Sequence, residues 1–250
     1  MFTLVGFDES EDGAGVFVNL AGIPDDHITV TGDDIIVPAL NQVVAYAALV
    51  DLTVAAQALI RSPRLLERGH EEFIEPVASG LTFGAIPEVV DRRLSPLMLD
   101  VAESLQARVL DNPAVAARRR VLVWLADGPI APIRGDIETV RVTAAVAAAA
   151  GVWTNGALTF PSSLKAGRYQ LVGARCVATN SIAYRFRFPG YTWRPGGPVA
   201  NAQSDTDLTM FRNGEMGVWG EFEHRNPPTV DILGITDTAE TLYLDLIHLG

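Results

Sequence analysis

The tightest constraint on the fold lies between Gly167 and Pro198, in the run GRYQLVGARCVATNSIAYRFRFPGYTWRPGGP. Successive side chains of a strand point to opposite faces, so residues two apart share one. Tyr169, Leu171, Gly173, Arg175 and Val177 fall on one face, and Gln170, Val172, Ala174 and Cys176 on the other. After the turn-like Ala178-Thr179-Asn180-Ser181, Ile182, Tyr184, Phe186 and Phe188 alternate with Ala183, Arg185 and Arg187. The pattern predicts a hairpin with an aromatic face and a cationic face. Pro189-Gly190 and Arg194-Pro195-Gly196-Gly197-Pro198 then end it in a stiff loop.

Strand signals surround this hairpin: Val121–Ala126, Ile137–Val146, Ala157–Phe160, Asp207–Arg212, Met216–Phe222, Thr229–Leu233 and Thr241–Leu249. Asp127-Gly128-Pro129, Asn226-Pro227-Pro228 and the two-residue turn signal Asn213-Gly214 separate them. Short strands with no helix between them imply antiparallel pairing in a sandwich or barrel. The expected fold is mainly β with a helical segment. Residues 118–250 form an antiparallel β-sandwich, and N-terminal strands and helices add a layer.

Residues 1–37 read as short strands with acidic turns. Pro38 to Ile60 is Ala- and Leu-rich, which predicts a helix buried in protein, and residues 38–117 read as a helical segment. Asn41, Gln42, Asp51 and Gln57 argue against a membrane span. Ser62-Pro63 starts a short helix through Gly69. Ser95-Pro96 starts a second, with Leu97, Val101, Leu105 and Val109 on one face.

Charge narrows the function. The formal net charge is −11, and Asp8, Glu9, Glu11, Asp12, Asp25, Asp26, Asp33, Asp34 and Asp51 precede the first basic residue, Arg61. On this pattern neither a basic arm for nucleic acid nor a secretory or mitochondrial signal is expected. The acidic N-terminal segment is complementary to the arginines further on. The expected subunit-interface residues are therefore Val16, Phe17, Val18, Arg118, Arg119, Arg120, Arg185 and Arg187, with the apolar side chains supplying most of the energy and the charges setting register.

Hydrolase, nucleotide-binding and metal motifs are missing, and His27, His70, His224 and His248 have no metal-ligand spacing. Asp8 to Gly13 resembles the front of a calcium loop but lacks the closing Glu, so an acidic hairpin tip is the simpler reading. Glu221 and Glu223 beside His224, and Tyr191 with Trp193 and Trp219, have active-site or sugar-platform readings. Solvated carboxylates and barrel-end packing are the simpler ones. Cys176, the sole cysteine, reads as a small buried hydrophobe. No cofactor, metal or catalytic residue is expected.

The texture of LKAGRYQLVGARCVATNSIAYRFRFPGYTWRPGG and NPPTVDILGITDTAETLYLDLIHLG, with the strand count of the C-terminal half, resembles viral capsid proteins of the jelly-roll kind. The resemblance covers about Gly128 to Gly250. It implies a self-assembling, non-enzymatic shell subunit of the virion, assembled in the host cytoplasm, with other copies of itself and other virion proteins as partners. The missing basic arm departs from capsids that grip their genome directly. It suits a shell over an internal membrane, or one whose nucleic acid is condensed by something else. A receptor- or carbohydrate-binding spike or fibre head is the alternative, and a hydrolase of unrecognised family the third.

Overall fold

The computed structural model describes residues 1–11, 15–50, 57–69, 72–74, 77–78, 89–110, 117–200, 208–236 and 238–250. The chain divides into two compact units, Leu4–Pro129 and Met1–Thr3 with Ile130–Gly250.

The N-terminal unit contains β1 (Phe2–Glu11), β2 (Val18–Leu20), β3 (Val30–Thr31), β4 (Asp34–Ile36), β5 (Gln42–Val50), β6 (Gln57–Arg61), β7 (Glu72–Ile74), β8 (Val77–Ala78), β9 (Val90–Asp91), β10 (Leu97–Met98), β11 (Ser104–Leu110) and β12 (Ala117–Ala126). One sheet has the order β1-β12-β5-β10, with β8 and β9 also on β5. The other runs β3-β4-β11-β6-β7, with β2 on β11. Val5, Phe7, Leu20, Ile35, Tyr46, Ile60, Leu105, Val109 and Val123 belong to one apolar core drawn from both sheets.

The C-terminal unit contains β13 (Ile137–Val146), β14 (Thr154–Gly156), β15 (Arg168–Val177), β16 (Ser181–Arg187), β17 (Gly196–Ala200), β18 (Gly220–Glu223), β19 (Thr229–Gly234) and β20 (Thr238–His248). One layer runs β13-β20-β15-β18 and the other β14-β19-β16-β17. A short parallel pairing of β17 with the end of β15 joins the layers along one side. Counted from the start of the unit, the strand order is 1-8-3-6 in one layer and 2-7-4-5 in the other. The N-terminal unit has the same order. There β1, β12, β5 and the short strands β8 to β10 give 1-8-3-6, and β2, β11, β6 and β7 give 2-7-4-5, with the β3–β4 hairpin added on β11.

The helical segment expected over 38–117 is corrected: the described part is β structure. Its one helix is α1 (Pro63–Glu67), started by Ser62, whose hydroxyl accepts from the Leu65 N–H at 3.2 Å. In β5, Val43 to Leu49 are all buried, because partners occupy both edges and both faces are covered. Such a strand shows no alternation and reads like a buried helix. The expected Ser95 helix is also corrected. A spacing of four residues shares a face in a strand as well as in a helix, and β11 alternates, burying Leu105, Ala107 and Val109. The unit boundary falls near Pro129, so β12 packs with the first half of the chain.

In the C-terminal unit β13 and β15 match the expected strands end to end. Asp207–Arg212 is a different case. Asp207 lies outside the described residues, and Thr209–Phe211 is a 3₁₀ turn. Asn213 and Gly214 adopt φ of 53° and 79°, as a two-residue turn requires, but they follow this 3₁₀ turn rather than joining two strands. Tyr184, Phe186 and Phe188 are buried as expected. The Phe186 ring lies 5.7 Å from Tyr184, 6.4 Å from Phe188 and 6.1 Å from Trp219, centroid to centroid. Gly196 faces Arg185 across β16–β17, and a Cβ there would run into the Tyr184 carbonyl oxygen.

Truncating Phe186→Ala empties the centre of this ring cluster and costs about 3–5 kcal/mol. Urea denaturation measures it, and an unchanged midpoint would place the ring outside the core.

Candidate functional site

Four of the arginines flagged as interface residues, Arg118, Arg120, Arg185 and Arg187, have partners within their own units. Asp8, from β1, is buried. Its Oδ1 lies 2.8 Å from Arg118 Nε and 3.4 Å from Arg120 Nε, both on β12. Arg119 and Arg120 are fully buried, and Arg118 is about a quarter exposed at 25%. An acid that takes two guanidiniums is not offering itself to calcium. Asp12 and Gly13, the tip of the calcium-like segment, lie outside the described residues. Among the described residues no three His, Cys, Asp or Glu side chains are grouped to hold a metal.

Arg185 and Arg187 sit on the outer face of β16, opposite the aromatic face. Asp231 of β19 lies beside Arg185 in register. Its Oδ2 accepts from Arg185 Nε at 3.1 Å, and its Oδ1 accepts from Arg187 Nε at 2.6 Å and from Asn155 Nδ2, on β14, at 2.9 Å. The Arg185 guanidinium also lies 4.2 Å from the centre of the Trp153 ring. Arg185 and Asp231 are fully buried.

A second carboxylate, Asp245 of β20, anchors the 3₁₀ turn. Its Oδ1 accepts from Thr139 Oγ1 at 2.8 Å and Arg212 Nη2 at 2.9 Å; its Oδ2 accepts from Arg212 Nε at 2.7 Å and the Asn213 N–H at 2.9 Å. Gly173 makes this approach feasible, because a Cβ there would stand 2.8 Å from Asp245 Oδ2 and 2.9 Å from Arg212 Cα. Burial pushes the Asp245 carboxyl up, but the bonds from Arg212, the Asn213 N–H and Thr139 outweigh it and bring it below 3.8.

The other flagged residues are further apart. Val16 is 58% exposed, Phe17 is partly buried and Val18 pairs with Val109 of β11. Arg108 Nη2 donates to the Phe17 carbonyl at 2.9 Å, and its guanidinium lies 5.7 Å from the Phe17 ring centre. Trp219 is core, stacked edge-on to Phe2 at 5.5 Å, which leaves no three-ring sugar platform. Glu221 and Glu223 both meet Arg168, and Gln170 Nε2 donates to Glu221 at 2.8 Å. Arg168, Glu221 and Glu223, with Tyr191 and Asn226, line a cleft of about 230 Å³. His224 Nδ1 accepts the Gly167 N–H at 3.2 Å and is not part of that lining. Cys176 is buried, and burial together with the nearby Glu240 charge holds its thiol well above 9.0.

Comparison with known proteins finds no matching family model and no matching curated protein. Among solved structures, that of STIV MCP, a viral major capsid protein, aligns over 98% of this chain and 97% of that chain, at 10% identity and a TM-score of 0.27.

Asp231 and Asp245 carry a signal in the sequence: each is an acid flanked on both sides by apolar residues, in VDIL and LYLDLI. A lone carboxylate at such a position is buried and needs a cation or several donors.

Asp245→Asn removes the buried carboxylate that binds the Arg212 guanidinium and the Asn213 N–H, and costs about 3 kcal/mol. The native acid titrates below the unfolded one, so its contribution is present above about pH 3.8 and is lost as pH falls through the lower native value. Acid unfolding of the two proteins checks this. The wild type loses more stability on that limb than the Asn variant, which keeps only the slopes of its other acids, such as Asp91, whereas parallel limbs would contradict the assignment.

Proposed function

We propose that the chain is a structural shell subunit, a viral capsid protein built from two jelly rolls in tandem. The observation that carries this reading is the order 1-8-3-6 over 2-7-4-5 in both units. It is the order of the eight-stranded jelly roll, an architecture that capsid domains share with lectins and cupins. A fold of this kind does not choose among those roles. What favours a shell is the way the polar groups are used. Asp8, Asp231 and Asp245 tie guanidiniums of the same unit, so charge serves to fasten each sandwich.

In this reading the chain is not an enzyme. Its main partners are copies of itself and other virion proteins, with no direct grip on nucleic acid. Val16, Phe17 and Val18, with the partly exposed Arg118 and Arg187, are the contact candidates that a neighbouring subunit reaches. No helix among the described residues is long and apolar enough to cross a membrane.

The cleft beside Tyr191 favours a second reading, a carbohydrate-binding head, because a half-buried ring edged by donors and acceptors suits a sugar. Size-exclusion chromatography followed by electron microscopy of the purified full-length protein separates the two. Closed particles or extended regular arrays are expected. A small discrete oligomer that binds a glycan array through Tyr191 would overturn the shell reading.

A further inference from the structure

We propose that the C-terminal unit contains a proton-controlled latch: Glu240, enclosed between the two layers, joins them as a neutral acid and loosens them when it loses its proton. The placement follows from register. Glu240 alternates on β20 with Leu242, Leu244 and Leu246, all buried, so its carboxyl enters the interior of the sandwich. There the Ser181 hydroxyl, on β16 of the opposite layer, donates to Glu240 Oε1 at 3.0 Å. This bond crosses from one layer to the other. The second oxygen, Oε2, is buried and has no hydrogen-bond partner among the described residues.

Among the described residues, none that faces the carboxyl offers a positive charge. From β15 the titratable neighbour is the Cys176 thiol, and from β16 the polar one is Ser181. On β13 the residue opposite Glu240 is Ala144, and β19 ends at Gly234 beside Ser181. The nearest arginines along these strands face away. Arg175 pairs with Tyr243 on the outer side, and Arg185 is bound to Asp231 over Trp153.

An ionised carboxylate in such a place is costly, and the proton relieves the cost. Burial accordingly raises Glu240 from 4.5 to about 7, against the opposing effect of the Ser181 bond and of its own N–H. The sign of the pH effect follows. Below pH 4.5 the folded and unfolded chains both hold the proton, and Glu240 costs nothing. Between 4.5 and about 7 the unfolded chain releases it while the folded chain keeps it, so stability falls as pH rises. Above about 7 the loss is complete and constant. Asp91 and Asp245 are displaced downward, so their own slopes lie below this window. The latch belongs to one unit and stands whether or not the chain forms a shell.

Calorimetry of the full-length protein from about pH 4.5 to about pH 8 tests it on wild type, Glu240→Gln and Ser181→Ala. The wild-type Tm is expected to fall up to about pH 7 and then level off. The Gln variant is expected to be flat through the window and more stable than wild type at its alkaline end. Removing the Ser181 hydroxyl takes away a bond that favours the charged form, so that variant should level off at a higher pH than wild type. A Gln variant that tracks the wild-type slope overturns the latch. If Glu240→Gln does not fold, Ser181→Ala decides, and a levelling-off pH that does not move overturns it.

Discussion

Each unit depends on the pairing of its first strand with its last. In the C-terminal unit β13 and β20 run antiparallel in unbroken register from Ile137↔Ile247 to Val146↔Thr238. That ladder joins segments at opposite ends of the unit and places β20 between β13 and β15. It also aligns the apolar face of both strands, with Val140 opposite Leu244, Val142 opposite Leu242 and Ala144 opposite Glu240. Because strand side chains alternate, a slip of one residue would turn Leu242 and Leu244 to solvent and Asp245 inward. The 1-8 pairing therefore fixes the faces on which Asp245 and Glu240 of β20 lie.

Buried charge in this protein follows from that geometry. Asp231 and Asp245 sit on outward faces that further chain covers, and guanidiniums with added donors satisfy them. Glu240 sits on an inward face, where the neighbours are Ser181, Cys176 and alkyl groups, and it keeps a proton instead. The same residue class thus has opposite displacements in one strand five residues apart, set by which face the pleat presents.

Much of the C-terminal unit was legible in the sequence, because half-covered strands alternate visibly: β13, β15 and the aromatic face of β16 follow directly. The N-terminal unit was not. β5 is buried on both faces and β11 carries its large residues four apart, so both imitate helices. Their neighbours in the sheets, such as β8, β9 and β10, are two residues long and leave no periodic trace. The repeat of one strand order in both halves was invisible for the same reason, since it is a property of pairing and not of pattern. At the candidate sites the arginines were legible and their partners were not. Arg185 and Arg187 advertise a cationic face, but a single Asp in the next strand decides that the face is closed.

The first-to-last ladder is tested most directly by a cross-strand disulfide. Thr143 lies opposite Thr241, and its N–H and C=O are bonded outward to Thr159, so the two threonines form a non-hydrogen-bonded pair of the close-spaced kind. That spacing fits a disulfide. The account predicts that Thr143→Cys with Thr241→Cys cross-links within one chain under mild oxidation and raises Tm. Absence of the cross-link in folded protein, or a preference for the shifted pair Thr143→Cys with Leu242→Cys, would contradict it.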